Sequence, residues 1–272
     1  MSIKAISSRD NPQYKHIRQL AGSSQARKKS GQTLLEGIHL CQAWLHHKGV
    51  PELCIVGEAA SQHPEVASLL MACEAQQVPC LQIPEAMFAP LSQVEHGIAL
   101  LFVIATPAST ATTTLDAPAL LLDGLQDPGN LGSILRSAAA AGIPRVFCSA
   151  STVYAWSPKV LRAGMGAHFM LEIIEDADLI ALTRDASLPV FATSSHAASS
   201  IYQADLAQPS AWLFGHEGRG VSDELLALAT QQLTIPQQAQ IESLNVAASV
   251  AVCLFEQVRQ LQIVASSLSH AI

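Results

Sequence analysis

The segment from Asp123 to Arg136 carries an amide and a guanidinium where a predicted strand gives way to a helix. Asn130 is a residue type that caps helices, and Arg136 lies off the apolar face of the helix that follows. Open α/β sheets bind ligands beyond the carboxyl ends of their strands, so both side chains could reach a ligand there. Taken alone, the segment is better explained by an ordinary helix cap and an exposed arginine.

A second segment, between Phe214 and Gly220, has glycines at Gly215, Gly218 and Gly220. Glycine lets the backbone approach a ligand closely. The spacing G-x-x-G-x-G does not fit the dinucleotide-binding pattern G-x-G-x-x-G. Glu217 would repel a phosphate, so the segment favours a cationic or neutral ligand.

The third segment begins with Ile235 and Pro236 at the end of a predicted strand. It continues to Ser243, Leu244 and Asn245, which lead into a long apolar helix. Ser243 is predicted to cap that helix. By itself this segment predicts no more than a strand, a loop and a capped helix.

Strands and helices must alternate to bring these three segments to one place, and the second part of the chain shows that alternation. The apolar strands predicted there cover residues 119–122, 146–148, 169–174, 190–193, 211–214 and 233–235. The helices between and after them cover residues 131–141, 158–164, 178–185, 222–229 and 244–260. Short strands that are apolar throughout predict a parallel sheet covered on both faces.

The first part of the chain predicts a smaller α/β domain. Its predicted helices cover residues 11–21, 38–47 and 65–76, and its strands 33–35, 53–56, 80–83 and 98–104. A Thr, Ala and Pro run without periodicity follows, as in a linker. We therefore expect a domain over residues 1–105, a linker over 106–118 and a second domain over 119–272.

Basic residues are concentrated at the start of a chain whose net charge is −7. Seven of the fifteen lysines and arginines lie within the first 29 positions, where Asp10 is the one acidic residue. Such asymmetry indicates either a surface that binds a polyanion or a solvated basic helix. The seven residues are Lys4, Arg9, Lys15, Arg18, Arg27, Lys28 and Lys29.

Composition excludes several other classes of protein. Hydrophobic residues make up 49% and charged residues 14%, which is typical of a folded globular chain. No apolar run reaches the roughly 18 residues of a membrane helix, and the start lacks the apolar core of a signal peptide, so we expect a soluble, intracellular protein. The six cysteines form no C-x-x-C pair and the ten histidines no H-x-x-x-H pair, which predicts buried reduced thiols and no metal site.

The three segments, in this order and spacing, resemble the signature motifs of the SpoU/TrmH RNA ribose methyltransferases of the SPOUT superfamily. Residues 156–167 are similar to the family's middle segment, and the first part of the chain is similar to the substrate-binding domain of its rRNA-modifying branch. The motif positions are matched by Asn130, Arg136, Gly215, Glu217, Gly218, Gly220, Ile235, Pro236, Ser243, Leu244, Asn245 and Val246.

The resemblance implies a parallel α/β sheet with a trefoil knot, a cytoplasmic homodimer, and methyl transfer from S-adenosylmethionine to a ribose 2′-hydroxyl of RNA, with rRNA favoured over tRNA. It places the cofactor against Gly215, Gly218, Gly220, Ile235 and Leu244. It places Asn130, Arg136, Glu217, Ser243 and Asn245 around the reacting groups. Arg136 would activate or orient the hydroxyl, and because a guanidinium holds its proton tightly, orientation is as plausible as proton abstraction.

One position departs from the family pattern, which has glycine in the loop after Pro236 where this chain has Ala239. The added methyl group could reshape the cofactor pocket. A non-catalytic RNA-binding or ribosome-assembly factor with the same fold is the alternative function. A nucleotide-dependent oxidoreductase is excluded because no G-x-G-x-x-G segment opens a βαβ unit.

Overall fold

The structure is a computed structural model that describes residues 3–94, 97–108, 114–238 and 243–269. The elements before the linker region are β1 (Ile3–Ala5), α1 (Pro12–Gly22), α2 (Ser24–Ser30), β2 (Gln32–Glu36), α3 (Ile38–His47), β3 (Leu53–Gly57), α4 (Pro64–Ala75), β4 (Cys80–Ile83), α5 (Glu85–Phe88) and β5 (Leu100–Ala105). Those after it are β6 (Ala119–Asp123), α6 (Pro128–Ala140), β7 (Arg145–Cys148), α7 (Pro158–Gly164), β8 (Glu172–Ile174), α8 (Leu179–Arg184), β9 (Val190–Thr193), β10 (Ser199–Ser200), β11 (Ala211–Gly215), α9 (Asp223–Leu228), β12 (Gln231–Thr234) and α10 (Val246–Ser269).

The first compact unit is built on a five-stranded mixed sheet in the order β1-β4-β3-β5-β2. Strands β1, β4 and β3 are parallel, whereas β5 runs antiparallel to both β3 and β2. Helix α1 starts where Asn11 accepts a hydrogen bond from the Gln13 N–H, with Pro12 in its first turn. Tyr14, Ile17 and Leu20 form its buried face, as the apolar spacing predicts.

The second unit contains a seven-stranded sheet in the order β10-β12-β9-β11-β6-β7-β8. Every neighbouring pair in it is parallel, which confirms the predicted parallel sheet. Residues 119–122 and 211–214 are buried without interruption in the adjacent strands β6 and β11. Strands buried on both faces need no polar alternation, which explains their continuous apolar runs. The trefoil knot that the resemblance implies stays a prediction.

The two compact units do not follow the chain in a simple order. The first comprises residues 1–108 together with Trp156–Phe169, and the second comprises residues 109–155 and 170–272. Helix α7 packs against β2, and the Thr33 hydroxyl donates to the Trp156 carbonyl oxygen at 2.6 Å. Residues 156–169, which we expected within the second domain, therefore belong structurally to the first unit.

Four short strands and α-helices of the structure lie outside the elements that the sequence predicts. Strand β1, helices α2 and α5 and strand β10 were not predicted; each is short, and β1 and β10 are held by pairing with β4 and β12. All six cysteines are buried and free of disulfides. Among the described residues, every helix is too short or too polar to span a lipid bilayer. Ala239 lies outside the described residues.

Candidate functional site

Parallel pairing brings the starts of all three segments to one edge of the seven-stranded sheet. Gly215, at the end of β11, is aligned with Asp123 at the end of the neighbouring strand β6. On the other side of β11, strand β9 separates it from β12, whose last residue Thr234 precedes Ile235. The carboxyl ends of parallel strands meet at a common edge, which is where open α/β sheets bind ligands.

A cavity of about 460 Å³ opens at this edge. Its wall is formed by residues 193–196, 214–221 and 233–235, with further contributions from Asp223, Leu226, Gln237, Ser243, Leu244, Val246 and Ser249. All five residues expected to hold the cofactor line it, and so do Glu217 and Ser243. Asn130, Arg136 and Asn245 are not among the lining residues.

Helix α6 starts earlier than the sequence predicts, so the cap assigned to Asn130 is wrong. Asp127 is the cap, and its Oδ1 accepts a hydrogen bond from the Asn130 N–H at 2.7 Å. Pro128 fits the first helical position because its fixed φ and missing N–H cost nothing there. The side chain of Asn130 is consequently released from capping and available for another role.

The Asn130 side chain joins the first segment to the other two. The Asn130 side-chain amide donates to Glu217 Oε1 at 3.1 Å, and its Oδ1 accepts from the Asn245 amide at 2.9 Å. Glu217 also accepts from the backbone N–H groups of Gln126 and Asp127, at 3.1 and 3.0 Å. The carboxylate, expected near the reacting groups, therefore fastens the glycine turn to the start of α6.

Asn245 completes the connection at the third segment. Its Oδ1 accepts hydrogen bonds from the N–H groups of Ala247 and Ala248, at 2.9 and 3.3 Å, so Asn245 and not Ser243 caps α10. Ser243 is exposed on the cavity wall instead. Glu217, Asn130 and Asn245 thus form a hydrogen-bonded chain that fixes three loops relative to one another.

Hydrogen bonding controls the charge of Glu217. Burial alone would raise the pKa of its carboxyl group, but the hydrogen bonds from Asn130 and from backbone N–H groups outweigh burial and hold the pKa below its ordinary value of 4.5. The ionised form is therefore the one that connects the loops.

We expect Glu217→Gln to lower the melting temperature most at neutral pH, because the amide cannot accept as strongly as the carboxylate. A depressed pKa contributes stability that is present above about pH 4.5 and is lost as the pH falls through the lower value of the folded state. The melting-temperature difference between wild type and variant should therefore shrink below pH 4.5. Calorimetry across pH 3–8, with exposed Glu58→Gln as the control, measures it. A difference that does not change with pH would contradict this assignment.

The glycine turn is tightly packed against itself. A side-chain Cβ at Gly215 would lie 2.1 Å from the carbonyl carbon and oxygen of Gly220 and 2.2 Å from the Val221 nitrogen. Gly220 adopts a positive φ of 71°, which L residues rarely take. A bulkier residue at Gly215 would therefore disturb the backbone of the turn as well as the ligand site, so the glycine is needed for the turn itself.

His216 is a cavity residue that the sequence reasoning missed. It lines the cavity, and its Nδ1 accepts hydrogen bonds from the backbone N–H groups of Gly218 and Arg219, at 2.9 and 3.3 Å. The sequence feature that could have indicated this role is a histidine two positions before a glycine, because a side-chain acceptor can bond to the backbone N–H two residues further on.

Arg136 is exposed on α6, six residues beyond Asn130 and so about 9 Å further along the helix axis. Within the described part of the chain, its guanidinium has no hydrogen bond or ion pair. It lies off the buried face formed by Leu131, Ile134, Leu135 and Ala138, as the sequence predicts.

The basic residues at the start of the chain lie in the first unit, and all but one are exposed. Lys15 pairs with Asp10 at 2.8 Å, and Arg9 donates to the Ala86 carbonyl oxygen. Arg27 is 6% exposed, and its guanidinium donates to the carbonyl oxygens of Leu20 and Ala21 at the end of α1. The Arg27 charge is thus placed against the carbonyl oxygens at the end of α1. Because it is buried there, we no longer expect Arg27 to contact RNA.

The cavity suits S-adenosylmethionine, the cofactor that the resemblance implies. Its volume of about 460 Å³ lies within the roughly 300–1,000 Å³ of small-molecule sites. Ile235 and Leu244 supply an apolar wall, and the Leu244 side chain is 39% exposed. Two acidic residues, Glu217 and Asp223, line the cavity against one basic residue, Arg219, and this excess of negative charge suits a cationic ligand. Among the described residues, no group of three His, Cys, Asp or Glu side chains is placed to hold a metal ion.

Comparison with known proteins agrees with this geometry. The model of the SpoU rRNA Methylase family matches residues 117–255, and that of the MRM3-like substrate binding domain matches residues 11–100. An uncharacterised tRNA/rRNA methyltransferase of Synechocystis is 36% identical over 95% of this chain and 94% of its own length. The 23S rRNA (guanosine(2553)-2′-O)-methyltransferase RlmP of Bacillus subtilis is 26% identical over 93% of this chain and 98% of its own.

A solved structure shares the fold over the same extent. The AdoMet-bound rRNA methyltransferase from Sinorhizobium meliloti superposes with a TM-score of 0.84 and 26% identity, and the match covers 95% of this chain and 98% of that one. Both parts of the chain, and nearly its whole length, are thus matched by proteins of one kind. The chain belongs to the SpoU rRNA methylase family.

Proposed function

We propose that this protein transfers a methyl group from S-adenosylmethionine to a ribose 2′-hydroxyl of ribosomal RNA. The observation that carries the proposal is the cavity at the carboxyl edge of the parallel sheet, lined by all five residues that the family motifs assign to the cofactor. The similarity to RlmP and to the AdoMet-bound Sinorhizobium enzyme supports the same reaction and the same cofactor.

The chain's own residues would prepare the site for in-line transfer. When bound, S-adenosylmethionine supplies an electrophilic methyl group on a sulfonium. Gly215, Gly218, Gly220, Ile235 and Leu244 would hold it against the cavity wall. The chain of hydrogen bonds from Glu217 through Asn130 to Asn245 would keep the loops around the reacting groups in one arrangement, which is how positioning lowers a barrier.

Arg136 and Ser243 would act on the RNA side of the reaction. The attacking 2′-oxygen gains negative charge as its proton leaves, and a fixed cation nearby stabilises that charge. A guanidinium does not give up its proton in proteins, so Arg136 is better suited to orient the hydroxyl and an adjacent phosphate than to act as a base. The exposed Ser243 hydroxyl on the cavity wall could hydrogen-bond to the same nucleotide.

Two measurements test this function. Calorimetry should show binding of S-adenosylmethionine or S-adenosylhomocysteine without added metal. Ribose-methylation mapping of total RNA, from cells with and without the gene, should show one or a few rRNA sites that depend on it. Cofactor binding without any dependent RNA site would favour the alternative, a non-catalytic RNA-binding or ribosome-assembly factor.

We further propose that residues 1–105 form the RNA substrate-binding domain, joined by residues 106–118 to a catalytic domain over residues 119–272, of which residues 156–169 pack in the first compact unit. Residues 109–113 of that linker lie outside the described residues. The exposed lysines and arginines of the first unit would contact phosphates, and these are Lys4, Arg9, Lys15, Arg18, Lys28 and Lys29.

Neutralising Lys28 and Lys29 together to glutamine is expected to weaken RNA binding by about tenfold at low salt, because each phosphate contact releases counterions. The slope of log affinity against log salt should fall by about 2, one unit for each lost contact. Filter binding between 50 and 300 mM salt measures both. The matched control is Lys48→Gln with Arg184→Gln, which removes two exposed charges outside this set. Equal slopes for the two double variants would show that the basic surface is only solvated.

We also propose a cytoplasmic homodimer. Helix α10 exposes the large apolar side chains of Phe255, Leu261, Ile263 and Val264, of which Ile263 is 53% exposed, and a second copy would bury part of this apolar area. Light scattering should give a mass near twice 28.8 kDa. A monomeric mass at micromolar concentration would contradict the dimer without affecting the family assignment.

A further inference from the structure

We propose that His216 is a positioning residue: its neutral imidazole holds the turn from Gly215 to Gly220 in the shape that forms one wall of the cofactor cavity. The inference rests on the proposed function for the identity of the ligand, and on the geometry of the turn for everything else. The family motifs assign no role to this side chain, which stands between the motif positions Gly215 and Glu217.

The turn closes through its backbone and through the His216 ring. His216 and Gly220 exchange two backbone hydrogen bonds, with N···O distances of 3.0 and 2.8 Å. The three residues between them, 217–219, are not paired with a β-strand. Two of their N–H groups, those of Gly218 and Arg219, donate to His216 Nδ1 at 2.9 and 3.3 Å.

These bonds select one form of the imidazole. A nitrogen that accepts two N–H groups carries no proton, so the proton of the neutral ring lies on Nε2. A doubly protonated ring has no acceptor, so the hydrogen bonds from the Gly218 and Arg219 N–H groups would be lost. The turn therefore requires a neutral His216 with the Nε2–H tautomer.

The same turn is fastened from outside by another side chain. Glu217 bonds to the start of α6, whereas His216 bonds to the backbone inside the turn. Glycines at both ends and in the middle give the unfolded turn more conformational freedom than other residues would. Residues 214–221 all line the cavity, so a loosened turn would change a large part of the wall.

Two substitutions separate the hydrogen-bond acceptor from the bulk of the ring. In His216→Asn, the side-chain Oδ1 stands the same number of bonds from Cα as the imidazole Nδ1, and asparagine commonly accepts from the N–H two residues on. His216→Phe keeps a ring of similar size and has no acceptor. His216→Ala removes both features.

Calorimetric titration with S-adenosylhomocysteine should place His216→Asn within about threefold of the wild-type Kd. The phenylalanine and alanine variants should bind about tenfold or more weakly, because two backbone N–H groups lose their acceptor. An asparagine variant as weak as the phenylalanine variant, or a phenylalanine variant equal to wild type, would overturn the proposal.

A second measurement needs no ligand. In ¹⁵N-histidine-labelled wild-type protein, NMR should show the His216 Nε2–H tautomer. Amide exchange at Gly218 and Arg219 should be slow in wild type and His216→Asn and fast in His216→Phe. If these signals are present but the wild type binds no S-adenosylhomocysteine, the proposed function fails and the inference about the turn stands. If the wild type binds but the other tautomer or fast exchange is seen, this inference alone fails.

Discussion

Replacing Gly215 by alanine is expected to destabilise the second unit and to abolish cofactor binding together. The new Cβ would lie 2.1 Å from backbone atoms of Gly220, where no flexible side chain can move aside. Forced overpacking of this kind costs about 3 kcal/mol or more when backbone must shift. The melting temperature should therefore fall by about 6 °C or more, measured by calorimetry, and titration with S-adenosylhomocysteine should give no heat.

Gly218→Ala is the matched control, because it adds the same methyl group to the same turn. Its Cβ would meet only the His216 ring, at an ordinary contact distance of 3.7 Å. We expect its melting temperature to stay within about 2 °C of wild type, since Gly-to-Ala changes without strain are small. If Gly215→Ala and Gly218→Ala behave alike, the close packing of Gly215 against Gly220 does not exist in solution.

Substituting Arg136 by alanine is expected to lower the single-turnover rate of methyl transfer by about 100-fold or more, the usual cost of losing one positioned charge-stabilising group. Cofactor affinity and melting temperature should not change, because the exposed guanidinium has no partner among the described residues and lies outside the cavity lining. Arg136→Lys should recover little of the rate, since an ammonium cannot reproduce the planar fork of a guanidinium.

The assay uses saturating cofactor and rRNA, so that the chemical step is compared and not binding. Arg184→Ala, at an exposed arginine of α8, is the matched control and should react at the wild-type rate. A wild-type rate in Arg136→Ala would remove this residue from the mechanism. A rate that is lost only at subsaturating RNA and recovers fully at saturating RNA would assign Arg136 to RNA binding alone.

Features with a local cause could be read from the sequence. The apolar strands around residues 119–122 and 211–214 were predicted because strands buried on both faces need continuous apolar runs. Helix α1 was predicted because Asn11 and Pro12 signal a helix start and the apolar residues repeat at helical spacing. The ordered motifs also identified the family, since the residues that face a common ligand keep their types and spacing.

Predictions failed where two neighbouring residues could do the same thing. Both Asp127 and Asn130 can cap a helix, and the position of Pro128 favours the earlier start. Ser243 and Asn245 presented the same choice at α10. Arg27 looked like its basic neighbours, because sequence alone does not show that its side chain turns back onto the carbonyl oxygens that end α1.

The sequence by itself determined the order of the main strands and helices, the glycine turn and the residue types at the sheet edge, because these depend on neighbours along the chain. Only the tertiary structure decided which of these residues meet. Asn130 is hydrogen-bonded to Glu217, 87 positions away in the sequence, and to Asn245, 115 positions away. Position 215 has no room for a side chain, because the backbone of Gly220 folds back against it. Such contacts depend on how parallel strands align their ends in space, and no local pattern of residue types records that alignment.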